Sequence, residues 1–244
     1  SDEDEFYKEN DVLIHGIGKV LTPVMDSFSK KRLEYDLFES EVVKEIIREN
    51  SKKRFDIIHT HGALTKAAFI IKKVYGIKWV HTFHAIEKLR IRKLSREEKY
   101  FKDLISWIEH TVNYSDGAIF VSRDLLEEGK KHYKLKSVEI IPNGVDFELF
   151  NYHPITANNV LFIGRFSKDK GIDILPKIIP QIMSIENTTF TAVCPYKAIK
   201  GELKQIREAI SKLEEKYQSR LKIIECPQDQ EILKKLYENC QVYI

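Results

Sequence analysis

The chain has 244 residues, 43% of them hydrophobic, enough apolar material for one large or two small globular cores. Its net charge of +3 is small beside 40 basic and 37 acidic side chains, so composition gives no ground for a nucleic-acid partner. No apolar run approaches the ~20 residues of a membrane span. The acidic opening Ser1-Asp-Glu-Asp-Glu5 does not read as a signal peptide, and Cys194, Cys226 and Cys240 form no C-x-x-C pair. Reduced thiols in a cytoplasmic protein, with access to the inner membrane face, are therefore expected rather than a disulfide framework.

Strand-like and helical segments alternate along the chain, which predicts parallel α/β layers. Residues 11–21 read as strand and 38–50 as helix. The run Phe55-Asp-Ile-Ile-His59 is short, apolar and β-rich, which predicts a buried strand. A helix is expected over 64–75, ended by Gly76, then a strand over 77–83. A long helix follows over 95–114, with Ser95 and Glu98 forming a capping box. Strand 117–121, helix 123–132 capped by Ser122, and strand 138–141 complete the first half.

Pro142-Asn-Gly144 interrupts the alternation, and Asn143-Gly144 suits a turn with positive φ. The irregular stretch to about Asn158 reads as a linker between a domain at 1–150 and another at 151–244. The pattern resumes with strand 159–163. Helix 170–184 carries Pro176 and Pro180, so it should begin late or kink. Strand 188–194, helix 201–217, strand 221–225, helix 229–239 and strand 241–244 follow. Stopping inside a strand, and lacking an opening strand with a glycine-rich turn, the chain reads as cut at both ends. His15-Gly-Ile-Gly18 is half of a G-x-G-x-x-G, with Leu21 where the third glycine belongs, and reads as a strand or turn detail.

Lys88, Arg90, Arg92, Lys93 and Arg96 crowd one short stretch. They suit a solvated helix face or loop, or a patch for a phosphate-bearing acceptor or an anionic membrane surface.

Four segments, in order and spacing, resemble glycosyltransferase family 4, a retaining group. They are Phe55-Asp-Ile-Ile-His-Thr-His61, Trp79-Val-His-Thr-Phe-His84, Ile141-Pro-Asn-Gly-Val-Asp146 and Ile163-Gly-Arg-Phe-Ser-Lys-Asp-Lys-Gly171. The resemblance covers almost the whole chain. It implies a GT-B fold, that is, α/β with two facing Rossmann-like domains: an acceptor side first, a nucleotide-sugar donor side second. The activity it implies is transfer of a hexose from a nucleoside diphosphate sugar (UDP, ADP or GDP) to a carbohydrate or lipid-linked hydroxyl. Neither cofactor nor metal is implied.

The same resemblance assigns Arg165 and Lys170 to the donor diphosphate, where their charges would stabilise the leaving nucleotide. Gly164 and Gly171 would let backbone approach the phosphates, and a helix start after Lys170 would add N–H groups and a positive dipole end. His84, at a strand end, would contact hydroxyls of the transferred sugar, a contact that can tighten in the transition state. His61 and Asn143 would line the acceptor side, and Cys226 lies near the expected nucleobase pocket.

Other readings of these residues remain. His59 and His61 share one strand face, whereas His81 and His84, three apart, should point oppositely. One of the latter with His59 and His61 would supply three zinc ligands, implying a hydrolase, but no carboxylate is positioned to complete such a site. Asp2-Glu-Asp4 matches a metal-binding D-x-D only as a terminal charge run. Cys194-Pro-Tyr-Lys197 replaces the family's glycine-rich turn, and the donor-site glutamates would lie beyond Ile244. A nucleotide-sugar epimerase of the same fold, or an inactive nucleotide-binding fragment, are the alternatives.

Overall fold

A computed structural model describes residues 5–9, 11–17, 27–62, 65–86, 89, 99–148, 150, 158–164, 170–194, 204–225 and 230–244. The chain divides into two compact units, Ser1–Asn143 and Gly144–Ile244.

The first unit opens with an antiparallel hairpin of β1 (Glu5–Glu9) and β2 (Val12–Gly16). Asp11 turns the chain at φ 65°, a left-handed conformation that aspartate tolerates. The predicted strand over 11–21 thus ends at Gly16 within the described residues, and its partner is Glu5–Glu9, for which no strand was expected, while the Asp2-Glu-Asp4 charge run lies outside the described residues. Period-2 alternation does not reveal such pairing, because β1 is charged.

Helix α1 (Ser27–Lys52) starts well before the predicted residue 38. Ion pairs Lys44–Glu41, Arg48–Glu45 and Lys52–Glu49, each three residues apart, stitch its polar face. From its buried side, Glu39 accepts a 2.5 Å hydrogen bond from Ala67 N, bringing a carboxylate to the first turn of α2 (Thr65–Tyr75). Burial nonetheless pushes the Glu39 carboxyl above its ordinary range.

β3 (Ile57–His61), β4 (Lys78–Phe83), β5 (Gly117–Phe120) and β6 (Val138–Ile140) form a parallel sheet in that order. Between them run α2, α3 (Lys99–Val112) and α4 (Arg123–Lys130). The proposed Ser95–Glu98 box lies outside the described residues. Ser122 does cap α4: its hydroxyl accepts from Leu125 N at 3.2 Å.

β3 corrects the expectation of a buried strand. It begins two residues later than predicted and lies at the edge of the described sheet, with Ile57 55% exposed. An apolar run of four or five residues does not distinguish an edge strand from a central one.

One sheet face carries the core. Phe83 stacks on Phe120 at 4.6 Å and on Tyr133 at 4.9 Å, and Val112 of α3 and Leu126 of α4 pack against this cluster. Gly129 lets α4 come this close: a Cβ there would stand 2.7 Å from Phe120 Cζ. Gly129→Ala should therefore destabilise the unit by about 1–3 kcal/mol through overpacking, although alanine in a helix interior is worth about 1 kcal/mol over glycine. A urea midpoint equal to or above wild type would show that Phe120 gives way freely.

In the second unit, β7 (Asn159–Ile163), β8 (Thr189–Cys194), β9 (Leu221–Glu225) and β10 (Val242–Tyr243) are parallel, in the order β10-β7-β8-β9. α5 (Leu175–Met183) and α6 (Lys204–Tyr217) cover one face with Phe162, Phe190, Ala192 and Cys194 in the core. α7 (Gln230–Glu238) covers the other, over Leu161, Val193 and Cys240. Cys194 and Cys240 are buried in these separate clusters as free thiols. The Arg220 guanidinium donates to the carbonyls of Met183, Ile185 and Thr188, satisfying the end of α5.

As the two prolines implied, α5 begins late: Pro176 sits in its first turn and Pro180 inside it. Asn143-Gly144 contradicts its expectation. Neither residue has positive φ, and the chain runs without regular structure from 141 to 146. Among the described residues no strand returns antiparallel there, so nothing in them demands a tight turn. The turn comes later, where Asp146 accepts from Glu148 N through Oδ1 and from Phe150 N through its carbonyl. No helix among the described residues is long and apolar enough to cross a membrane.

Candidate functional site

The first unit brings histidines together at the carboxyl ends of β3 and β4. Parallel register sets Thr60 beside His81 and His61 beside Thr82. Side chains alternate between faces, so His59, His61, Thr82 and His84 share one face, while Thr60, Trp79, His81 and Phe83 share the other.

On the core face, Trp79 Nε1–H donates to Thr60 Oγ1 at 2.7 Å, and Thr60 Oγ1 meets His81 Nδ1 at 2.9 Å. Indole can only donate. The hydroxyl thus accepts from Trp79 and hydrogen-bonds His81 Nδ1, holding the imidazole in place on the core face. His81 is 1% exposed, and burial, reinforced by His61, His59 and His84, pulls its pKa to about 3. It is a neutral core residue and no ligand for the opposite face.

On that opposite face, His59 Nε2 lies 2.7 Å from Thr82 Oγ1, and its ring centroid is 4.5 Å from that of His61. His61 Nδ1 lies 3.0 Å from His84 Nε2, with the rings stacked 5.3 Å apart. One nitrogen of the pair must donate and the other accept, so the contact survives only while the two rings are not both protonated. Burial, then the charges of His59 and His84, push the His61 pKa down. Both rings are exposed, leaving ring nitrogens able to hydrogen-bond a hydroxyl. Among the described residues no group of three or more histidine, cysteine or acidic side chains is placed to hold a metal ion.

Below the opposite end of the sheet, Asp116 accepts from Trp79 N at 2.9 Å and from Lys72 Nζ. Burial raises its carboxyl, but Lys72, the Trp79 N–H and Lys78 outweigh this and hold it below the usual range. This anchor fixes the register of β4 and hence the histidines. Neither it nor Thr60 and Thr82 stood out in the sequence, because their roles depend on cross-strand register.

In the second unit the strand order reverses at β7. β8 and β9 extend the sheet to one side and β10 adds on the other, which makes the carboxyl end of β7 a topological switch point, the usual ligand position in open α/β sheets. Gly164 is the next residue. Its N–H donates to Val193 O at 3.0 Å, and a Cβ there would come within 3.3 Å of Phe162 Cζ and 3.8 Å of Lys170 Cβ. Lys170 therefore stands beside Gly164. Gly171 has φ 75°, a conformation that strains other residues.

The helix contributes less here than the sequence suggested. α5 starts at Leu175, beyond a turn closed by Ile174 N donating to Gly171 O. Lys177 N and Ile178 N already bond Ile174 O, and Pro176 has no N–H. Any anion at this switch point would rest on loop backbone and side-chain cations. Arg165 and Cys226 lie outside the described residues, and Asn143 is exposed in the irregular stretch.

Two parallel α/β units, one with a switch-point site, define a GT-B type glycosyltransferase fold. The model of Glycosyltransferase Family 4 matches residues 2–149, and the chain belongs to that family. It is 26% identical over 181 residues to the glycosyltransferase MJ1178 of Methanocaldococcus jannaschii, covering 72% of this chain and 46% of that protein. The chain thus spans about half the length of that relative. Among solved structures it is similar to Anabaena Alr3699/HepE in complex with UDP and glucose, at a TM-score of 0.61 and 16% identity, over 91% of this chain and 58% of that one. It is also similar to the α,α-trehalose-phosphate synthase (UDP-forming) of Burkholderia vietnamiensis, at a TM-score of 0.65 and 12% identity, over 98% and 68%. These two likenesses are of fold.

Proposed function

We propose that the protein transfers a hexose from a nucleoside diphosphate sugar to an acceptor hydroxyl with retention of configuration. The observation that carries this reading is the placement of Gly164, Lys170 and Gly171 at the switch point of the second unit. A small, positively charged loop at a strand end suits a diphosphate without a metal. Arg165, two residues beyond β7, supplies the second cation. UDP is the first nucleotide to test, since HepE was solved with UDP and the trehalose-phosphate synthase is UDP-forming.

On the first unit, His84 contacts the sugar and His61 orients it from the acceptor side. The 3.0 Å contact between them fixes which His84 nitrogen is free. Retention by a front-face route, in which the departing phosphate oxygen takes the acceptor proton, needs no protein nucleophile. The acceptor is a carbohydrate or a lipid-linked sugar.

His84→Ala should lower turnover by about tenfold or more, as expected for losing a hydrogen bond made chiefly in the transition state, while leaving nucleotide affinity within about twofold. The measurement is product formation from radiolabelled nucleotide sugars over a panel of acceptors, beside calorimetric titration of the nucleotide. Normal turnover in the variant would remove His84 from the site. Isomerised donor without transfer would make the protein an epimerase.

A further inference from the structure

β7 ends in a peptide that is held from both sides. The bond joining Ile163 to Gly164 carries one carbonyl and one N–H. The Gly164 N–H donates to Val193 O of β8 at 3.0 Å. The Ile163 carbonyl accepts from the Tyr243 hydroxyl of β10, also at 3.0 Å. Among the described residues, backbone pairing of β10 with β7 reaches Ile244 N, which donates to Leu161 O, two residues short of that carbonyl. A side chain thus takes the place that a ladder N–H holds elsewhere in the sheet.

The phenol is itself oriented. A carbonyl only accepts, so the single Tyr243 proton is committed to Ile163 O. In the hydrogen bond between Tyr243 and Tyr237 of α7, Tyr237 is therefore the donor. Burial first, then Tyr243, raises the Tyr237 pKa. The two rings lie 5.8 Å apart. Phe150, in the stretch leading to β7, stands edge-on to Tyr237 at 5.8 Å and 88°. Rings from the approach to β7, from α7 and from β10 converge on the last carbonyl of β7.

We propose that Tyr243 is a positioning residue for the donor loop: its hydroxyl, backed by Tyr237, fixes the peptide from which Gly164 and the diphosphate-binding residues depart. This role presupposes the proposed nucleotide site. Glycine restrains its own backbone least, so at Gly164 the restraint comes from the bonds on either side. Tyr243 is 55% exposed and lies outside the core clusters, so its hydroxyl is not what holds the unit together.

Tyr243→Phe removes one oxygen and keeps the ring. Amide exchange of Gly164 is followed by NMR in the full chain without nucleotide, beside calorimetric titration of UDP, ADP and GDP and a urea midpoint. Exchange at Gly164 should quicken about threefold to tenfold, the worth of one neutral hydrogen bond. Nucleotide affinity should fall by a similar factor, with the urea midpoint at its wild-type value. Unchanged exchange at Gly164 overturns the proposal. So does faster exchange with wild-type affinity, and if Lys170→Ala still weakens binding, the donor site itself stands. A urea midpoint that falls along with the affinity makes Tyr243 a general brace and overturns the local role. Wild type that binds none of the three nucleotides removes the donor site, and this role with it.

Discussion

Calorimetric titration of Lys170→Ala with UDP, ADP and GDP should return affinities about tenfold to about a hundredfold weaker than wild type for whichever nucleotide binds. Arg165→Ala should do the same. The range corresponds to the ~1.5–3 kcal/mol of a hydrogen bond to a charged group, and the first turn of α5 offers little to replace it. Pro176 has no N–H, and the N–H groups of Lys177 and Ile178 are already bonded to Ile174 O. Gly171→Ala should act in the same direction by straining a residue at φ 75°. Affinity unchanged for every nucleotide in both charge variants would remove the cradle from the switch point.

The second large effect is on stability below neutral pH. His81 has a folded pKa of about 3 against 6.5 for a free imidazole. The unfolded chain therefore binds a proton from pH 6.5 downward that the folded chain refuses. Stability is fully present above pH 6.5 and falls as pH drops, at up to about 1.4 kcal/mol per unit, until about pH 3. His61, with its pKa also depressed, acts in the same sense. Glu39, raised above 4.5, opposes it: its contribution is present below 4.5 and lost as pH rises through its folded value. Urea midpoints at about pH 7.5, 6.5 and 5.5 measure the slope; these settings are about a unit apart so that one proton is resolved. His81→Asn, which cannot titrate, should flatten the curve while weakening the fold at neutral pH. Coincident midpoints at 6.5 and 5.5 in the wild type would mean that His81 takes up its proton in place.

The sequence revealed the elements of the second unit well, because its strands are apolar runs separated by amphipathic helices and marked by Gly164, Gly171 and the two prolines. It revealed part of the histidine arrangement too: alternation puts His59 and His61 on one face and sets His84 opposite His81, while which of these two joins the first pair depends on the β3–β4 register. Pairing stayed hidden. Nothing in Glu-Phe-Tyr-Lys-Glu says that it joins Val12–Gly16, and nothing in Thr60 says that it orients His81. Those facts follow from register, which is settled by tertiary packing. The Asn143-Gly144 expectation failed for a related reason: a dipeptide permits a turn, but only a returning strand requires one.

The position of β7 also shapes how the protein is made. Asn159 on β7 bonds Asn239, 80 residues later in the chain, and β10 follows that residue. During synthesis β8 and β9 can join β7 on one side as they emerge, but its other edge, Asn159-Val-Leu-Phe-Ile163, waits for β10. At ~5–20 residues per second, the interval is several seconds of exposed, β-prone backbone. The strand at the heart of the proposed donor site is therefore open to mispairing over that interval, and a chaperone that shields it then would raise the yield of folded protein.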